Sequence, residues 1–328
     1  MIVDSLRCNY INFSNKLNTP QSFCANNILL SDTFVKSKNV SFGSSSNVEK
    51  NRQEKVDLFT KNLRTQMYSP SFSISDVSRT ISKFVKNVNV KPMKQAPKEL
   101  LFSSTLQGLY CNDLSFDEST NKFFIPKKNR NFYIKTETFH EQFGPLFVFI
   151  NAVHEFTHIL QNEDEKMPQL ELYNAYVSDH KSNIDEAVEQ VSVAVQTANK
   201  IEESVARPFI SFINLNQNLV YERVKNGRTD VFDWICRKSK IDNQDAYLKE
   251  RIETTIQNSE KENNISIDRS LLIDSTILHF EKEIEAYKNE NKAHEECLKM
   301  QSPLSLTRIS VYKKSIEVLK QMKKDLLM

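Results

Sequence analysis

A nearly continuous run of apolar positions lies between residues 143 and 161 and reads FGPLFVFINAVHEFTHILQ. Pro145 is suited to a first helical turn, where its missing N–H leaves no hydrogen bond unmade. No glycine or proline follows it within the run, and apolar side chains occupy nearly every direction around the helix that this pattern predicts. A helix of that kind is expected to be buried.

Further helices are predicted where apolar positions repeat at helical spacing. Two short ones are expected at 55–68 and 74–88. A longer amphipathic helix is expected from Ser182, a good N-cap with Asp185 three residues on, as in a capping box. Its apolar face consists of Ile184, Ala187, Val188, Val191, Ala194, Val195 and Ala198. This spacing is typical of a helix that packs one face against a core.

The C-terminal third carries two apolar patterns with spacings of three and four. The first consists of Ile273, Ile277, Phe280, Ile284 and Tyr287, and the second of Ile309, Tyr312, Ile316 and Leu319. Ser302 and Pro303 mark the start of the second helix. The two patterns predict an antiparallel helical pair with a coiled-coil-like seam. We expect the pair to pack on the rest of the protein; an arm that binds a partner is the alternative.

Between these helical regions, the pattern before residue 143 is typical of strands. Aromatic and β-branched residues are enriched at 101–102, 106–111, 122–126 and 131–136, with polar turns between them. The segments predict a small antiparallel meander immediately before the buried helix. Its edge is suited to hold an extended peptide by strand addition, or the sheet only covers the helix. The expected fold class is α+β, mostly α.

Composition narrows the possible partners. The chain has 328 residues, 26% of them charged and 39% hydrophobic, and a net charge of +2. That charge gives no reason to expect a nucleic-acid partner or an acidic membrane surface. The four glycines are too far apart for a Walker A or G-x-G-x-x-G loop, which disfavours nucleotide-binding folds. No apolar run approaches the ~20 residues needed to cross a bilayer.

The cysteines and the N-terminal segment indicate where in or outside the cell the protein is expected. Five widely spaced cysteines without a C-x-x-C predict free thiols in a reducing compartment. Residues 1–55 are rich in serine and asparagine and predict a disordered or targeting leader without the apolar segment of a conventional signal peptide. The expected location is the cytoplasm, or outside the cell after secretion without such a signal.

The buried helix carries the main candidate chemistry. It contains His154, Glu155 and His158 in an H-E-x-x-H pattern, in a chain with only six histidines. Residues four apart lie on one helix face, so the two imidazoles can bind one metal ion. Glu155 then stands where a general base takes a proton from a zinc-bound water. Two core histidines with satisfied hydrogen bonds are the alternative interpretation.

A catalytic zinc needs a third protein ligand and one open position. The segment IDEAV at 184–188, following the H-E-x-x-H, resembles the gluzincin branch of the zincin metallopeptidases, which is the thermolysin-like type. The resemblance covers roughly residues 143–198. It implies a zincin-like catalytic domain, which we assign to 56–225, followed by a helical C-terminal region at 226–328. It also maps the glutamate ligand of that family onto Glu186.

Two other carboxylates stay open as third ligand. Glu189 lies on the same predicted helix, and Asp164 follows His158 by six residues, resembling zincins whose third ligand comes soon after the second histidine. The thermolysin-like pattern has an acidic residue four positions after the ligand, where this chain has Gln190. An amide oxygen there can still accept a hydrogen bond from a histidine N–H.

The transition-state oxyanion needs a hydrogen-bond donor besides the zinc. Tyr176 and Tyr173 are placed where zincins often carry a tyrosine, and His180 is a further candidate. Each of the three also suits a purely structural role.

These patterns together predict a zinc-dependent metallopeptidase acting on a protein or peptide substrate. The expected metal ligands to Zn²⁺ are His154, His158 and Glu186, and the expected catalytic residues are Glu155 and Tyr176. The alternative is a non-catalytic helical interaction protein with an incidental or structural metal site. In that case the C-terminal helical pair is the expected partner-binding surface.

Overall fold

The computed structural model describes residues 46–96, 108–111, 114–127, 130–136, 139, 144–164 and 167–328. The helices are α1 (Ser46–Met67), α2 (Ile74–Ser82), α3 (Gly144–Gln161), α4 (Pro168–Asp179), α5 (Ile184–Leu215), α6 (Gln217–Lys225), α7 (Val231–Lys238), α8 (Gln244–Asn263), α9 (Arg269–Leu298) and α10 (Pro303–Leu326). The strands are β1 (Val88–Pro92), β2 (Gly108–Cys111), β3 (Ser115–Asp117), β4 (Lys122–Phe124) and β5 (Arg130–Ile134). The expected mostly helical α+β class is confirmed.

The strands precede the buried helix as expected, but they are not connected as a meander. β5 is the central strand of three, with β2 antiparallel on one side and β1 parallel on the other. β3 and β4 form a separate antiparallel hairpin. β1 replaces the end of the helix predicted at 74–88, because Asn87 adopts a left-handed conformation (φ 61°) that a helix interior excludes. The predicted strand at 101–102 lies outside the described residues.

Two apolar cores meet at the long helix α9. One core joins α1, α2, the sheet and α3, and its centre is a stacked pair formed by Phe59 and Phe156, with ring centroids 3.9 Å apart. The other core joins helices α4 to α10. α9 packs against α3 on one side and against α5 and α10 on the other. Polar residues on α9 are therefore in a position to reach the histidines of α3.

The C-terminal helices form the expected pair and pack on the protein. α9 ends at Lys299, which takes a left-handed conformation, and Ser302 caps α10 by accepting a hydrogen bond from the Ser305 backbone N–H at 3.2 Å. α10 packs against α9 and against α5. The larger core is continuous across the domain boundary predicted at residue 225. In the described parts of the chain, no helix combines the length and apolarity required of a membrane span.

A candidate metal centre

The H-E-x-x-H helix is buried as its sequence predicts, and its two histidines face each other. His154 and His158 are 0% and 2% exposed. Their Nε2 atoms lie 3.2 Å apart, because one helical turn places both side chains on the same face of α3. The pair is thus oriented to share a ligand between the rings.

The hydrogen bonds of Gln161 determine the tautomer of His158. The Gln161 side-chain N–H donates to the backbone carbonyl of Lys282 at 3.1 Å and to the Glu285 carboxylate at 2.9 Å. Its amide oxygen therefore faces His158, 2.6 Å from Nδ1. Since an oxygen can only accept here, His158 Nδ1 carries the proton and Nε2 presents a lone pair.

Glu290 lies beside the other ring nitrogen of His154. Its Oε2 is 2.9 Å from His154 Nδ1, although the two atoms are not aligned for a hydrogen bond. Its Oε1 accepts a hydrogen bond from the Ser305 hydroxyl at 2.8 Å, which fixes the carboxylate. A carboxylate in this place electrostatically favours a proton on Nδ1, the tautomer that leaves Nε2 to face His158.

A carboxylate from α9 completes the group. Oε2 of Glu283 lies 3.7 Å from His154 Nε2 and 3.9 Å from His158 Nε2, and the side chain is 1% exposed. Ligand atoms on a tetrahedral zinc are separated by about 3.3 Å, given metal–ligand bonds of about 2.0–2.1 Å. Only small side-chain adjustments separate the three atoms from that geometry.

The arrangement offers a set of metal ligands. Two imidazole nitrogens and a carboxylate oxygen lie within 4.8 Å of one another, and all three side chains are buried. Buried ionisable groups are usually paired or bound to metal. Two nitrogen ligands and one oxygen ligand are a donor set that zinc accepts.

Glu155, the residue after His154 on α3, contacts the sheet. The side chain is 0% exposed, and its Oε2 accepts a hydrogen bond from the backbone N–H of Tyr110 on β2 at 3.1 Å. Tyr110 pairs with Phe132 of β5, so this N–H belongs to the outer side of β2. The carboxylate is thereby held against the sheet, one residue along the helix from His154.

Aromatic residues enclose the centre from the α9 side. The ring of Tyr287 meets His154 edge to face at 4.4 Å, and the Arg308 guanidinium lies 5.1 Å from the Tyr287 ring centroid. Burial raises the pKa of Tyr287 well above its ordinary value. A neutral phenol therefore stands beside the histidines over the whole working pH range.

The expectation that Glu186 is the third ligand requires a correction. Glu186 is exposed in the first turn of α5, where the Asn183 side chain donates a hydrogen bond to it. α5 packs on α8, α9 and α10, while α3 packs on α1 and α9, so α9 and not α5 faces the histidines. The alternative carboxylates, exposed Glu189 and half-buried Asp164, are likewise outside the group that Glu283 completes.

The expected oxyanion donors also lie elsewhere. Tyr176 donates a hydrogen bond to Asp268 at 3.2 Å, and together with His180 and Glu186 it lines a separate surface groove of about 270 Å³. Tyr173 is buried and bonded to the Ser275 hydroxyl at 2.8 Å. The geometry gives these tyrosines structural roles.

Gln190 does not contact a zinc histidine. Its amide accepts from the Asp268 backbone N–H at 2.9 Å and donates to the Ser266 carbonyl at 2.8 Å. The residue therefore ties the loop before α9 to α5. The amide that orients a histidine in this protein is Gln161, which follows His158 by three residues on the same helix.

The sequence analysis missed Glu283 because it lies 125 residues after His158 (283 minus 158). A signal is nevertheless present. His279, Glu283 and Glu290 recur at spacings of four and seven, so they share one face of α9. That face lies next to the apolar positions of α9, among them Phe280. The ionisable residues on it are therefore expected to be buried in the core. Buried charges are rare unless they are paired or bind metal.

Comparison with known proteins gives no further guide. No family model matches the sequence, and no curated protein and no solved structure matches the chain. Any functional conclusion must therefore come from the chemistry of the site.

Proposed function

We propose that this protein is a zinc-dependent metallopeptidase in which His154, His158 and Glu283 bind the metal. The observation that carries the proposal is the convergence of two imidazole nitrogens and one carboxylate oxygen, with separations of 3.2, 3.7 and 3.9 Å. The ligand type remains that of the gluzincin-like zincins, which the sequence resembles. The glutamate, however, comes from α9.

Each side chain has a distinct part in the reaction. Zinc at this position would lower the pKa of a bound water and polarise the scissile carbonyl. Glu155 accepts the proton of the attacking water and then transfers it to the leaving amine. The Tyr110 N–H, 3.1 Å from Glu155 Oε2, holds the carboxylate in one orientation.

The supporting residues keep the ligands ready. Gln161 accepts the Nδ1 proton of His158, and the Glu290 carboxylate lies 2.9 Å from His154 Nδ1, so both contacts favour Nε2 as the metal-binding nitrogen. Such outer contacts orient the rings and make them better ligands. The Glu290 carboxylate is itself held by Ser305.

The burial of the site favours a second candidate, a structural metal centre. His154, Glu155 and His158 are at most 2% exposed, whereas a peptidase must admit its substrate. A groove of about 760 Å³ has on its wall Gln161, which contacts His158, but none of the three metal ligands. A structural centre would bind zinc equally well but would not need Glu155 as a base.

Two measurements distinguish these functions. Purified protein should contain about one or more zinc ions per chain, and His158→Ala should lose zinc while the exposed-site control His180→Ala keeps it. Glu155→Gln should retain zinc and the fold but lose cleavage of a mixed peptide library by a factor of at least ~100, the lower range of general-base effects. Protein without zinc refutes both candidates. Bound zinc with no cleavage by the parent protein supports the structural centre.

A further inference from the structure

A second buried cluster shares Glu283 with the metal centre. Ligand atoms of Glu202, His279 and Glu283 lie within 4.8 Å of one another, and all three side chains are buried. Glu202 comes from α5, and His279 and Glu283 come from α9. Glu283 belongs to both clusters, since it also lies beside the histidine pair of α3.

The Glu202 carboxylate is fixed so that one oxygen faces this cluster. Its Oε1 accepts a hydrogen bond from the Tyr312 hydroxyl at 2.8 Å and lies 3.8 Å from the Arg308 guanidinium. Its Oε2 lies 2.7 Å from His279 Nε2. Tyr312 and Arg308 also contact each other at 3.2 Å. Oε2 and the imidazole therefore share one proton, which a metal ion bound by both would displace.

Buried carboxylates are concentrated in this part of the core. Those of Glu155, Glu202, Glu283 and Glu290 are at most 7% exposed. Carboxylates are rarely buried unless they are paired or bind metal. Arg308 pairs with Glu202 on the side of Oε1, 3.8 Å away.

We propose that Glu202, His279 and Glu283 bind a second divalent cation, with Glu283 bridging the two ions. One imidazole and two carboxylates suit Zn²⁺ or Mn²⁺. The ion takes the place of the proton between His279 and Glu202, so its binding releases that proton. Bridged two-metal centres have ions about 3.5–4 Å apart. The inference rests on the proposed function only through the shared ligand Glu283.

A small cavity adjoins Glu202. It has a volume of about 80 Å³ and is lined by Glu202, neighbouring residues of α5 and Arg308 of α10. A cavity of this size can hold water.

The experiment measures zinc stoichiometry at buffered free Zn²⁺ for the full chain and for His279→Ala, Glu202→Gln and His158→Ala, with His180→Ala as surface control. The parent protein should bind two ions per chain. His279→Ala should bind one, with affinity for the second ion reduced more than about 100-fold, beyond the range of outer-contact losses. Glu202→Gln, which keeps the side-chain shape, should give the same result if the alanine variant does not fold.

Anomalous scattering from crystals at the zinc edge should show two peaks bridged by Glu283. If the parent protein binds a single ion that His279→Ala retains and His158→Ala loses, the second site is refuted and the proposed function is unaffected. The hydrogen bond between His279 and Glu202 then keeps its proton. Zinc that neither variant loses is adventitious, and both proposals are refuted. Two ions without peptide cleavage support the second site and count against the peptidase.

Discussion

Replacing Glu283 by alanine tests the assignment of the third ligand. The change leaves two imidazoles, too few for a catalytic zinc with three protein ligands. Zinc affinity should fall by more than the ~10–100-fold that typically follows loss of an outer contact. This corresponds to more than about 2.7 kcal/mol at 1.36 kcal/mol per tenfold change. The matched control is Glu186→Ala, which removes an exposed carboxylate and should leave zinc affinity unchanged.

The effect on stability should depend on the metal. A ligand at 1,000 times its Kd adds about 4.1 kcal/mol to the free energy of unfolding. A folded region of roughly 280 residues has an unfolding entropy of about 0.6 kcal/mol/K, so chelation should lower the melting temperature of the parent protein by about 7 °C. Glu283→Gln should show little response to chelator.

The assay is a competition titration against a chromogenic zinc chelator, followed by thermal melts with zinc and with chelator. If Glu283→Ala binds zinc as tightly as the parent protein, the geometric assignment is refuted. If Glu186→Ala releases zinc while Glu283→Ala does not, the ligand expected from the sequence resemblance is the correct one.

Three further outcomes are expected. Glu290→Gln should lower zinc affinity about 10–100-fold in the same titration, because it weakens the contact at His154 Nδ1 without removing a ligand; an unchanged affinity would exclude a positioning role. Tyr176→Phe should leave peptide cleavage within about two-fold of the parent rate, since its hydroxyl bonds Asp268 away from the histidines; a hundred-fold loss would restore it as the oxyanion donor. Burial raises the pKa of Cys236 to about 11, so at pH 8 its thiol should resist alkylation in the folded protein and react in denaturant, as followed by mass spectrometry.

The sequence alone determined the local features of the site. A helix with apolar residues on every face must be buried, and the four-residue spacing of His154 and His158 places both rings on one side of it. These results depend only on helical geometry and on the hydrophobic effect. The same is true of the paired C-terminal helices, whose apolar spacing and Ser302 cap are visible in the sequence.

The tertiary structure decided which carboxylate meets the histidines. The resemblance of the IDEAV segment at 184–188 to the gluzincins favoured Glu186. Packing instead places α9 between α3 and α5, and Glu283 reaches the site from 125 residues away in the chain (283 minus 158). The sequence contains no local constraint between residues so far apart. Their meeting depends on which helix faces complement each other in the folded core, and that is a property of the whole chain.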